Sequence, residues 1–159
     1  MFAQKICSAA RWIASPKRWP ALVNEPRWLS VDDLITFNRL AVQQTGEPFS
    51  IRDQKLLESA WAKPQNHKTT KPQNHWHYGE QDIVLLAVQL LLDIARDHPF
   101  EQGNKRTAFA AADAFLYLNG YEMHAPDGTP LADLIVQAIT GDVDEAMLIS
   151  AVAWSTKAI

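Results

Sequence analysis

Apolar residues fall at helical spacing along most of the chain. Leu34, Ile35, Phe37, Leu40 and Ala41 recur three and four apart, as one face of a helix requires. Ser30-Val-Asp-Asp33 in front of them has the form of a capping box with an acid in its last place, and Gly46 supplies a stop. A second, shorter helix is expected over Arg52–Ala62, carrying Leu56, Leu57, Ala60 and Trp61. Gln81 to Asp97 is apolar on most sides: Gln89, Asp93, Arg96 and Asp97 share one narrow stripe, and nearly all else is Leu, Ile, Val or Ala. Such a helix belongs in the middle of a bundle.

An Ala-rich helix is expected from Lys105 to Leu118, ending at Asn119-Gly120. Two more follow, over Leu131–Thr140 and Val143–Trp154, with Asp142, Asp144 and Glu145 as the acidic first turn of the last one. Asp113, on an otherwise apolar helix, reads as a hydrogen-bonded structural acid. No alternating pattern extends beyond a hairpin, so the class is all-α or nearly so.

Two segments break the pattern. Lys-Pro-Gln-Asn-His occurs at 63–67 and again at 71–75, and Pro64 and Pro72 argue for a loop or extended flap over Lys63–Tyr78. Two copies are too few for a solenoid. Residues 1–27, with Trp12 and Trp19 among Pro16, Pro20 and Pro26, read as an extension that covers apolar surface of a domain spanning 28–159.

Bulk properties narrow the classes. The 159 residues suit one core. A formal net charge of −3 gives no general attraction to nucleic acid or to an anionic membrane. Cys7 is the single cysteine, so no intrachain disulfide can form, which suits a reducing, cytoplasmic setting. The most apolar run, Ile83–Ala95, is interrupted by Gln89 and Asp93 and is shorter than the ~20 residues of a membrane span. Arg11 interrupts any apolar stretch of a secretory signal.

The chemistry is concentrated in His98-Pro-Phe-Glu-Gln-Gly-Asn-Lys-Arg106, a short loop that runs into a helix N-terminus. Gly103 allows the backbone amides to turn toward one point, and Asn104 tolerates the conformations of such a turn. Those amides, the positive helix end, Lys105 and Arg106 together suit an anion such as phosphate. His98 is placed to take a proton from a hydroxyl attacking it. The spacing is not that of a Walker A loop. The plain alternative is a polar interhelix loop with a hydrogen-bonded histidine; the full constellation between two buried helices argues against it. His67, His75 and His77 lack cysteines or a zinc-like spacing and read as solvated or target-contacting flap residues, and Tyr78 as a flap anchor or packing residue.

His98-Pro-Phe-x-x-Gly-Asn-Lys-Arg106 resembles the signature of the Fic/Doc family, and its Asn-Lys-Arg-Thr ending resembles the Doc (death-on-curing) branch. Gly46-Glu-Pro-Phe-Ser-Ile-Arg-Asp53, Leu56-Leu-Glu-Ser-Ala60 and Phe115-Leu-Tyr-Leu-Asn-Gly-Tyr121 are similar to that branch in the same order, so the likeness covers the chain from about Trp28 onward. The resemblance implies the compact helical Fido fold and ATP bound at the motif. It makes His98 the base, Lys105 and Arg106 catalytic, and Phe100, Gly103, Asn104, Lys105 and Arg106 the ATP- and phosphate-binding set. It also implies a target hydroxyl presented along the flap by His75, His77 and Tyr78.

Members that transfer AMP usually carry Gly where this chain has Lys105, whereas Lys resembles Doc toxins, which transfer the γ-phosphate. That favours phosphorylation of a Ser or Thr, with AMP transfer as the alternative. By the same likeness the target is elongation factor Tu or a similar translation factor. The family's Mg²⁺-holding acid is replaced by Gln102, a weaker neutral ligand beside Glu101. Gln102 and Glu101 are therefore the metal candidates, and a catalytically weak binding protein is a further alternative. The inhibitory Ser/Thr-x-x-x-Glu-Gly/Asn motif of many family members does not occur, so a separate Phd-like antitoxin is the implied partner.

Overall fold

Ser30 and Asp33 make the reciprocal cap that their spacing suggests: the Ser30 hydroxyl accepts from the Asp33 N–H and the Asp33 carboxylate accepts from the Ser30 N–H. This opens α1, Val31–Thr45, which Gly46 closes in a left-handed conformation at φ 73°. The computed structural model describes residues 26–66, 80–124 and 129–159. The remaining elements are α2 (Gln54–Asn66), α3 (Glu80–Asp97), α4 (Asn104–Leu118), β1 (Tyr121–Met123), α5 (Thr129–Thr140), α6 (Glu145–Trp154) and β2 (Thr156–Ala158).

Two helices form the centre. Along α3 the buried positions include Val84, Leu86, Val88, Leu90, Leu92 and Ile94, which go most of the way round the helix. Along α4 every residue from Ala110 to Leu116 is buried, Asp113 included. Burial on all sides marks a helix enclosed by others. α3 packs on α4, α2, α6 and α5, and α4 also packs on α1 and β1. Before α1, Asn119 exchanges two hydrogen bonds with the backbone of Arg27, and the Trp28 ring stacks 4.8 Å from Phe115. Of the expected extension, residues 1–25 lie outside the described residues.

Most helix ends fall within two residues of expectation, and the largest difference is at the end of α2. α2 continues through Pro64 to Asn66 rather than stopping at Ala62. Pro64 brings no N–H for the carbonyl four residues back, but its fixed φ is helical and its ring is buried. The helix also has few residues left to hold once the proline is passed. The rest of the expected flap lies outside the described residues.

β1 and β2 pair antiparallel, Tyr121 with Ala158 and Met123 with Thr156, joining the end of α4 to the last residues of the chain. Among the described residues no helix is long and apolar enough to cross a membrane.

Candidate active site

The loop between α3 and α4 is held from beneath by buried polar groups and from one side by a staple. Phe100 is buried, its ring 6.4 Å from that of Phe49, over which the Arg39 guanidinium sits at 4.4 Å. The buried Asn104 side chain closes the loop, accepting from the Phe100 N–H at 2.9 Å and donating to the Phe100 carbonyl at 2.8 Å. From α1, the buried Asn38 amide donates to the Gln102 carbonyl at 2.7 Å and to the Thr107 hydroxyl at 3.1 Å. Thr107 in turn donates to the Gly103 carbonyl.

These bonds have a directional consequence. In a trans peptide the C=O and the following N–H point opposite ways. Turning the Gln102 carbonyl toward Asn38, and the Gly103 carbonyl along the helix, aims the N–H groups of Gly103 and Asn104 outward at the start of α4. Gly103 is at φ 74°, and a Cβ there would lie 3.2 Å from Val42 Cγ1 and 3.3 Å from both Arg106 Nη2 and Asn38 Nδ2. Crowding by Val42, Asn38 and Arg106 and the positive φ both favour glycine here, and the outward amides beside it form the cradle. Outward amides at a helix N-terminus favour an anion.

The motif divides in two. Phe100, Asn104 and Thr107 are buried and serve as scaffold, while His98, Glu101, Gln102 and Lys105 are exposed. Asn104 commits its side chain to the loop itself, through both bonds to the Phe100 backbone. Arg106 turns toward α1: its guanidinium donates to the Ala41 carbonyl, to the Thr45 hydroxyl at 2.8 Å and to the Glu47 carboxylate at 2.6 Å. It therefore borders the cradle while paired with an acid.

His98 is the single non-glycine residue with positive φ among the described residues, at 48°. Such a conformation costs ~1–3 kcal/mol and persists only where the surroundings impose it; the following Pro99 disfavours a helical alternative. What surrounds it is the segment 50–53. Ile51 bridges to Phe100, Glu101 N–H donates to the Ser50 carbonyl, and the N–H groups of Arg52 and Asp53 both donate to the Pro99 carbonyl. The Arg52 side chain forks over the end of α3, Nε to the His98 carbonyl at 2.6 Å and Nη2 to the Asp97 carbonyl at 2.7 Å. Lys63 donates to the Asp97 carboxylate at 2.7 Å, which raises the Lys63 pKa.

Sequence reasoning reached the exposed motif residues but assigned no part to Arg52, Asn38 or Glu47. Arg52 and Glu47 stand in the Gly46–Asp53 stretch that resembles the Doc branch, which was a signal without a role attached. Glu101 and Gln102 are exposed neighbours, and no group of three or more His, Cys, Asp or Glu that could hold a metal occurs among the described residues. His75, His77 and Tyr78 lie outside the described residues.

Residues 28–116 match the model of the Fic/DOC family. The chain is 35% identical over 121 residues to a protein named Toxin Doc from Mycolicibacterium smegmatis (strain ATCC 700084 / mc(2)155), covering 74% of this chain and 84% of that protein. It is 40% identical over 62 residues to a protein named Protein kinase doc from Escherichia phage P1, a match that spans 39% of this chain and 48% of the phage protein.

Proposed function

The chain belongs to the Fic/DOC family, and on that premise we propose that it is the toxin of a toxin–antitoxin pair that moves the γ-phosphate of ATP to a Ser or Thr hydroxyl of a translation factor resembling elongation factor Tu. The observation that carries the choice of reaction is Lys105, an exposed cation in the first turn of α4, next to Gly103 and Asn104 in the chain. An ammonium there adds charge where a terminal phosphate would sit. The name Protein kinase doc, borne by the phage relative, points the same way.

The residues fit a bound nucleotide. The outward amides at Gly103 and Asn104 and the Lys105 ammonium stabilise the charge spread over the transferring phosphoryl group. His98, exposed beside them, accepts the proton of the attacking hydroxyl as its oxygen bonds to the γ-phosphorus and ADP departs. Arg106 reaches the phosphates once Glu47 releases it. Gln102 and Glu101 are the side chains that would hold Mg²⁺, which would neutralise the phosphates; with one of them a neutral amide, the nucleotide would have to supply most of the ligands. A Phd-like antitoxin, ordering a C-terminal helix on the toxin, is the proposed partner.

Gln102 favours a second reading. Without a carboxylate at that position, the protein binds a nucleotide with little or no turnover. ATP labelled at the γ-phosphate or at the α-phosphate, incubated with purified protein and an extract, distinguishes the readings. The kinase reading expects label only from the γ position; label from the α position, or from neither, contradicts it.

A further inference from the structure

The strongest unassigned feature is the Arg52 fork. Arg52 stands in the turn before α2, outside the motif, yet its guanidinium donates to two successive carbonyls, those of Asp97 and His98, while its N–H donates to a third, that of Pro99. These are the carbonyls on either side of the one strained residue in the loop. We propose that Arg52 is a positioning residue: it holds His98 in its left-handed conformation and so aims the imidazole at the cradle.

The physical case has three parts. A carbonyl fixed at 2.6 Å by a charged donor fixes the plane of the peptide that follows His98, and the Asp97 contact fixes the plane before it. With both planes held, the direction of the His98 Cα–Cβ bond is set. Second, the cation sits at the C-terminus of α3, where unsatisfied carbonyls favour positive charge, so the contact is reinforced by the helix. Third, nothing on the His98 side chain itself is needed to hold it: the residue is exposed, and the restraint acts through the backbone. Without the fork the backbone relaxes to negative φ, and the ring swings away while the cradle, held independently by Asn38 and Asn104, stays in place.

That separation gives a signature. The inference rests on His98 acting as the base of the proposed transfer, and the test is arranged so that the two fail differently. Arg52→Ala should lower kcat by roughly ten- to a hundredfold, the scale of an ångström's misplacement of a reacting group, and leave ATP affinity within about twofold of wild type. Guanidinium ion added to Arg52→Ala should restore part of the rate. Arg52→Lys keeps the charge at the helix end but cannot span both carbonyls, so it should fold like wild type and still lose kcat.

Histidine-selective NMR of the same proteins supplies a reading free of turnover: the His98 ring resonances should move in both variants. Wild-type kcat in Arg52→Lys, unmoved His98 resonances, or a fall in ATP affinity as large as the fall in kcat would each overturn the proposal. A wild-type protein that transfers nothing contradicts the kinase reading instead, and the NMR comparison then decides the role of Arg52 alone.

Discussion

Nη2 of Arg106 stands 2.6 Å from Oε2 of Glu47, so the arginine that ends the motif faces a carboxylate of the α1–α2 connection. Both side chains are partly exposed, 24% and 34%, so the pair adds little stability, less than about 1 kcal/mol. Its consequence is competition. Under the proposed function, a phosphate bound at the cradle would compete with the Glu47 carboxylate for this guanidinium.

Glu47→Gln should therefore tighten ATP binding several-fold with little change in thermal midpoint. Isothermal titration with ATP measures it. Weaker binding in the variant would mean that Glu47 holds Arg106 in the pose that nucleotide requires.

Asn104 should matter most to the fold of the site. Asn104→Ala removes both hydrogen bonds to the Phe100 backbone and leaves a buried N–H and C=O without partners. The expected loss is roughly 2–4 kcal/mol in chemical denaturation. A loss near zero would show that the loop does not depend on this ring of bonds.

Lys105→Gly should shift the protein away from γ-phosphate transfer, because the substitution removes the cation beside the cradle. Phosphorylation of the target at the wild-type rate would remove Lys105 from the choice of reaction.

Gln102→Glu should lower the Mg²⁺ concentration needed for half-maximal activity, since a carboxylate binds a hard dication more tightly than an amide oxygen. Glu101→Gln should change little if the nucleotide holds the metal. An unchanged titration in both variants would show that neither residue touches the cation.

The sequence carried the helices because their signals are local. Ser30 and Asp33 sit three apart, the apolar residues of α1 and α3 recur at one spacing, and Gly46 closes α1 as a lone glycine can. It carried the exposed half of the motif for the same reason. What escaped it depends on contacts between distant residues. The Arg52 fork joins positions 45 and 46 residues apart, Asn38 reaches 64 residues to Gln102, and Arg106 reaches 59 back to Glu47. β1 and β2 likewise pair across α5 and α6, with too few residues each for any alternation to show. Pro64 misled because a proline signals a break from sequence alone, whereas its place in the last turn of α2 lets the helix pass through it.

The central claim is that His98 is the base in the proposed transfer of the γ-phosphoryl group of ATP to a protein hydroxyl. Mass spectrometry of a cell extract incubated with ATP and either wild-type protein or His98→Ala tests it most directly. A phosphate on a Ser or Thr of a translation factor, present with wild type and absent with a folded, ATP-binding His98→Ala, is the predicted result. A gain of AMP, no modification at all, or the same phosphate with both proteins contradicts it.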